Sequence, residues 1–332
     1  MDEPIDVGAA SGGRRPRVVV GIDGSPGSRA ALMQAYLAAA RRAADLEVVA
    51  SYTLDLYWFG GVPLDVPNVA TVREDTERRA REQVDEIANE VAVSAVPGIR
   101  DVGLQLFIAQ GHAAHVLVER AEGADLLVVG SRGRGAARSA LLGSVALHCA
   151  THAPCEVLVV HTDAVAVPDP PKVVVGVDGS DAARAALAAA IEEAASRAAE
   201  LDVVVSYQIT DYWTDLGSVV VPSIDHIRAE LIARTEDLVN AALDHRPDGA
   251  PVPHVRVVVA EGPAGDVLVH HGQAAELLVV GSRGHGAFRG LLLGSIALQC
   301  AMHAPCPVLV VHPGRARTAV APPRPTPALA DR

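Results

Sequence analysis

Two segments of this sequence carry residue types suited to holding phosphate. The first runs Gly130-Ser131-Arg132-Gly133, nine residues, then Gly143-Ser144, and the second runs Gly281-Ser282-Arg283-Gly284, nine residues, then Gly294-Ser295. Glycines let backbone amides approach a ligand closely, and a loop feeding a helix start offers unpaired N–H groups and the positive end of the helix dipole. Ser144 and Ser295 add hydroxyl donors, and Gly135 and Gly286 extend the two glycine runs. Arg132, Arg134 and Arg138 concentrate positive charge in the first copy, as Arg283, His285 and Arg289 do in the second. A single loop of this kind would equally suit a tight turn with a serine cap and solvated arginines. Two copies, each after an apolar strand, favour a phosphate cradle.

A carboxylate stands near each loop in the expected fold. Gly21-Ile22-Asp23 ends one β-branched run and Gly176-Val177-Asp178 ends another. An aspartate there would repel a pyrophosphate, so this is not the first-turn dinucleotide fingerprint. Its oxygens can accept from the N–H and O–H groups of a base or ribose. The plainer alternative is that Asp23 only fixes the turn before Ser25.

The elements that must position these groups come from a duplication. VVVGIDGS at 18–25 returns as VVVGVDGS at 173–180, an offset of 155, while residues 124–161 match 275–312 without gaps at an offset of 151, with 29 identities in 38 positions. Each unit alternates strand and helix. In the first, strands are expected at Val18–Asp23, Leu46–Thr53, Val102–Ala109, Asp125–Gly130 and Val157–His161. Helices are expected from Pro26 to about Ala44, across Ala70–Val91, at Ala113–Ala121 and from Ser144. Alternation of this kind implies α/β architecture: two tandem doubly wound, Rossmann-like domains, each with a five-stranded parallel sheet of order 3-2-1-4-5. In that order the turn after the first strand faces the loop after the fourth, the place where open sheets bind ligands. The expected organisation is a flexible tail at 1–16, a domain at 17–161, a Pro-containing linker at 162–171, a second domain at 172–312 and a flexible tail at 313–332.

The pattern G-x2-G-x9-G-S, following a strand that ends V-x-G-x-D, resembles the universal stress protein family across nearly the whole chain. That resemblance implies ATP binding, with Mg2+ as an optional companion. Carried over by position, it assigns Gly130, Gly133, Gly143 and Ser144 to phosphates and ribose and Asp23 to the adenine side, with Gly281, Gly284, Gly294, Ser295 and Asp178 as the second set. It also implies pairing through fifth strands, so that the halves form an intramolecular pseudo-dimer, with a homodimer left open. The loops around Tyr57-Trp58 and Tyr212-Trp213 are less typical of the family. They hold four of the ten aromatics and suit a packing role better than a lid over adenine.

Composition bounds the rest. The 332 residues are 50% hydrophobic and 20% charged, with a net charge of −12, which excludes a disordered or collagenous chain and disfavours nucleic acid as a partner. Four cysteines are too few for a disulfide scaffold, and no apolar targeting segment stands out in residues 1–17, so the expected location is cytoplasmic with no membrane partner. The uncharged stretch 290–314 is broken by prolines and glycine and is expected to be a helix, a turn and a buried strand. No G-x4-G-K-[ST] loop exists; Lys172, the only lysine, opens a strand. No G-x-S-x-G elbow occurs either. Cys149, Cys155, Cys300 and Cys306 read as buried thiols rather than zinc ligands, and His112 and His115 become Pro263 and Asp266 in the second copy. The function that the resemblance implies is a nucleotide-dependent stress-response regulator. The alternatives are a slow ATPase or nucleotidyl-processing enzyme, for which no base can be named, and a nucleotide-free interaction protein. Gly143→Ala and Gly294→Ala are expected to weaken binding by placing a Cβ against the phosphate.

Overall fold

The computed structural model describes residues 14–54, 58–59, 62–63, 68–91, 96–133, 142–162, 169–208, 223–247, 249–284 and 293–313. The first half contains β1 (Arg17–Ile22), α1 (Pro26–Arg41), β2 (Asp45–Tyr52), β3 (Trp58–Phe59), β4 (Val62–Pro63), α2 (Val69–Val91), β5 (Leu104–Gln110), α3 (Ala113–Arg120), β6 (Leu126–Gly130), α4 (Ser144–His152) and β7 (Glu156–Val160). The second contains β8 (Lys172–Gly176), α5 (Asp181–Arg197), β9 (Glu200–Tyr207), α6 (Ile224–Asp244), β10 (Val255–Glu261), α7 (Ala264–Gly272), β11 (Leu277–Gly281), α8 (Ser295–His303) and β12 (Val308–Val311). The stretch 290–314 thus supplies α8, a turn and β12. Among the described residues no helix is long and apolar enough to cross a membrane.

Ten strands make one sheet in the order β10-β9-β8-β11-β12-β7-β6-β1-β2-β5. Within each half the strands run parallel in the order 3-2-1-4-5, and β12 meets β7 antiparallel with Leu309 opposite Leu158. The tiny β3–β4 hairpin, with Trp58 paired to Pro63, is absent from the sequence-based expectation. It replaces part of the expected Tyr57-Trp58 loop, whose side chains, like residues 209–222, lie outside the described residues.

Local sequence explains the helices. Ser25 caps α1 by accepting from the Ser28 amide at 3.1 Å, and Pro26 opens the helix. Nine of the sixteen residues of α1 are buried, because an alanine-rich helix can sit closely on the sheet. The charged α2 buries only Ala80, Val84, Ile87 and Val91, one stripe at helical spacing. Alternate strand residues serve opposite faces. Val18, Val20, Leu126 and Val128 join a core that continues under α1 and α5 in both halves, whereas Val19, Leu127 and Val129 pack with Leu117 and Cys149 on the other face.

The lone lysine stands at the start of its strand. Lys172 Nζ lies 3.5 Å from Asp202 Oδ2, and Arg256 makes a two-pronged contact to the same carboxylate at 2.9 and 2.6 Å. Arg17 and Glu47 repeat that pairing at 2.6 Å, with Arg120 as the second cation. Burial disfavours the Glu47 carboxylate, but the hydrogen bonds and charges of Arg120 and Arg17 outweigh it and hold its pKa below the ordinary value. A depressed folded-state pKa gives stability that is present above the unfolded value of about 4.3 and lost as pH falls through the folded one. Glu47→Gln is expected to reduce the loss of stability on acidification below about pH 4.3. Urea midpoints measured from pH 6 to pH 3 test this, and an unchanged slope would refute it.

Candidate functional site

The glycine loops and aspartates converge at the carboxyl ends of the strands. In the first half a cavity of about 660 Å³ is lined by Gly21, Asp23, Gly130, Arg132, Gly133, Gly143 and Ser144, together with residues of β2, α2 and α3. In the second half a cavity of about 1160 Å³ is lined by Gly176, Asp178, Gly281, Arg283, Gly284, Gly294 and Ser295. Ser131 and Ser282 do not line the cavities. They are buried, and their backbones hold the loop. The Ser131 amide donates to the Val160 carbonyl at 2.7 Å and its carbonyl accepts from the Gly143 amide at 2.7 Å, and Ser282 does the same with Val311 and Gly294. Arg134, Gly135, His285 and Gly286, with Arg138 and Arg289, lie outside the described residues.

Two helices begin here without a cap. The N-cap positions of α4 and α8 are Gly143 and Gly294, with no side-chain hydrogen bond, and the serines stand at the first helical position. Ser144 is therefore not a cap, unlike Ser25. The amides of Ser144, Val145 and Ala146 precede the first intrahelical donor, that of Leu147, which bonds to the Gly143 carbonyl at 3.0 Å. All three residues line the cavity. Arg132, on the same wall, has its Nε buried without a hydrogen-bond partner among the described residues. The arrangement fits an anionic group that needs several N–H donors.

Asp23 fixes the turn and also lines the cavity. Its Oδ1 accepts from the Ser25 amide at 2.9 Å; Asp178 does likewise with the Ser180 amide at 2.9 Å. A Cβ on Gly133 would lie 2.6 Å from Asp23 Oδ2 and one on Gly284 would lie 2.5 Å from Asp178 Oδ2, so a methyl group at either position would displace the carboxylate. A Cβ on Gly143 would face the Ser131 carbonyl oxygen at 3.3 Å. Gly143→Ala would therefore press on the loop's own backbone as well.

Sequence reasoning misses the second helix of each half. Thr76, Arg79 and Gln83 of α2 line the first cavity, and Leu231, Arg234 and Leu238 of α6 line the second. Arg79 and Arg234 are 155 residues apart, so the offset of the first strands persists through these helices, and the four-residue change falls between helix and β5. An arginine retained at that offset is the available signal; the surrounding charged residues obscure it.

Among the described residues no group of three or more His, Cys, Asp or Glu could hold an ion. Burial pushes the thiols of Cys149, Cys300 and Cys306 up to about 12, which keeps them protonated. His148 stacks on His152 with centroids 4.3 Å apart and meets the edge of His115 at 5.1 Å, a ring cluster of its own.

Fold and site together define a tandem α/β protein of the doubly wound class, with a glycine-lined cleft at the carboxyl ends of the strands in each half. The profile of the universal stress protein family matches residues 15–161 and again 171–312, and the chain belongs to that family. It is 34% identical over 299 residues to the universal stress protein Rv2005c of Mycobacterium tuberculosis, covering 89% of this chain and 96% of the relative. It is 32% identical over 306 residues to the universal stress protein Rv2623 of the same species, covering 91% and 98%. Among solved structures, a universal stress protein from Archaeoglobus fulgidus superposes with a TM-score of 0.61 at 18% identity over 90% of this chain and 98% of that one, a likeness of fold.

Proposed function

We propose that each half, 17–161 and 172–312, holds one ATP, with Mg2+ as an optional companion, and that occupancy of the loops 130–144 and 281–295 biases a partner-binding state in a cytoplasmic stress response. The observation that carries this is the pair of uncapped helix starts at Ser144 and Ser295, opening on cavities that also contain Asp23 and Asp178. The amides of residues 144–146 and 295–297 and the guanidinium groups of Arg132 and Arg283 would hold the phosphates. Asp23 and Asp178, as acceptors, would orient the donors of the base or ribose. Binding here needs no lysine, since glycine amides, hydroxyls and arginines supply the donors.

Mass spectrometry of small molecules released from the purified chain is expected to find adenine nucleotide, approaching two per chain. Calorimetry with ATP and Mg2+ is expected to show binding that weakens about tenfold in the doubly substituted Ser144→Ala, Ser295→Ala variant, the usual scale for losing a hydrogen bond to a charged group. No nucleotide after purification and no heat on adding ATP would reject the proposal.

A further inference from the structure

The two cavities differ in a way that follows from changes on α1 and α2 and their repeats. Arg29 on α1 is held away from the first cavity by Glu86 and Glu90 of α2, each at 2.7 Å. At an offset of 155 these residues become Arg184, Ala241 and His245. Neither replacement offers a carboxylate, and His245 Nδ1 lies 2.6 Å from the Ala241 carbonyl oxygen of its own helix. Arg184 lines the second cavity, and its ion pair among the described residues is a long one, 3.9 Å to Asp181. A parallel change affects an acid. Glu82 pairs with Arg78 at 3.0 Å, but the equivalent residues are Asp237 and Ala233, and Asp237 lines the second cavity.

The apolar lining changes as well. Gln83 donates to Ser28 Oγ at 3.2 Å and bridges α2 to α1 at the first cavity. Leu238 and Ala183 occupy those positions in the second, and Leu231 stands where Thr76 does. Beside its greater volume, the second cavity therefore has an added cation, an added carboxylate and an added apolar wall. The cation and the acid together leave the net charge of the wall unchanged, so the change does not simply favour a more anionic ligand. A longer phosphate chain would meet Arg184, a second sugar or base would find an acceptor in Asp237, and its flat face would find Leu231 and Leu238.

We propose that the second cavity is a receptor for a dinucleoside polyphosphate, whereas the first accepts only a mononucleotide. This rests on the nucleotide proposal above. The test is calorimetry of the full chain with diadenosine tetraphosphate and, separately, with ATP. The expected result is two ATP sites per chain but one site for diadenosine tetraphosphate. Arg184→Ala, at an exposed position, is expected to weaken the dinucleotide about tenfold, as loss of a charge-assisted contact does. Leu238→Gln is expected to weaken it too, while Arg29→Ala leaves it unchanged. Equal binding of the dinucleotide at both sites, its exclusion from the second while ATP fills two, or equal effects of Arg184→Ala and Arg29→Ala would overturn this inference alone. Failure of both ligands to bind would overturn the nucleotide proposal and this one with it.

Discussion

Gly130→Ala is expected to lower the melting temperature by roughly 6–12 °C and to weaken nucleotide binding in the first half while sparing the second. A Cβ at residue 130 would lie 2.7 Å from both the carbonyl carbon and the oxygen of Gly27, in the first turn of α1. Those atoms belong to the backbone of a capped helix packed on the sheet, so they cannot turn aside as a side chain would. Overpacking of this kind costs about 3 kcal/mol, and a unit of about 150 residues loses roughly 2–4 °C per kcal/mol. Gly27 is equally constrained, since a Cβ there would sit 2.2 Å from the Arg132 carbonyl oxygen, within the glycine loop itself. The contact therefore ties the fold of β6 and α1 to the shape of the cleft. Thermal unfolding and calorimetry of the variant are the measurements, and an unchanged melting temperature would contradict the argument. Gly281→Ala is expected to act in the same way on the second half, where the carbonyl group of Ala182 lies 2.8 Å from the place the new methyl group would take.

Glu193→Ala is expected to destabilise the chain by about 3–5 kcal/mol, because it strips the acid from a buried charge cluster that joins the halves. Glu193 of α5 pairs with Arg42, just beyond α1, and with Arg197, one turn further along α5. Arg42 also lies 3.7 Å from Glu156, and Glu276 receives Arg41 and Arg197 at 3.2 Å each. Burial, followed by the nearby Arg197 charge, brings Arg41 down to about 10. Without Glu193 two guanidinium groups would remain buried with less than their share of negative charge. Urea unfolding followed by circular dichroism measures the loss, and a change under about 1 kcal/mol would show the cluster to be dispensable. Histidines complete the seam: His161 Nε2 lies 3.0 Å from the Ala301 carbonyl oxygen and His312 Nε2 lies 3.1 Å from that of Ala150.

The cluster shows why the seam is hard to read from sequence. Arg42 and Arg197 are equivalent in the repeat, but Glu193 aligns with Ala38 and Glu156 with Pro307. Glu193–Arg197, Arg197–Glu276 and Arg42–Glu156 each lie within one half, but the Arg42–Glu193 and Arg41–Glu276 pairs form only when the two halves are set side by side. The strands and most helix boundaries are easier, because their signals are local: β-branched runs, a serine cap followed by proline, and an apolar stripe on α2. The β3–β4 hairpin has no such signal, since two-residue strands carry no periodicity.

The site divides along the same line. Its glycines, serines and aspartates can be named from the sequence because backbone approach and helix starts impose residue types at fixed spacing, and because the duplication presents the pattern twice. Composition, charge and the single lysine likewise limit the chemistry without any coordinates. The tertiary structure decided which of those residues face the cavities, turning Ser131 and Ser282 inward as loop clamps and leaving the helix starts at Gly143 and Gly294 without a side-chain cap. It also decided what faces them from α2 and α6, where Arg79 and Arg234 join the lining and where Arg29 and Arg184 part ways. Spacing along a chain records local backbone requirements. Which side chain reaches a cleft depends on how distant helices pack and on which charges they neutralise, and that is settled only when the elements meet.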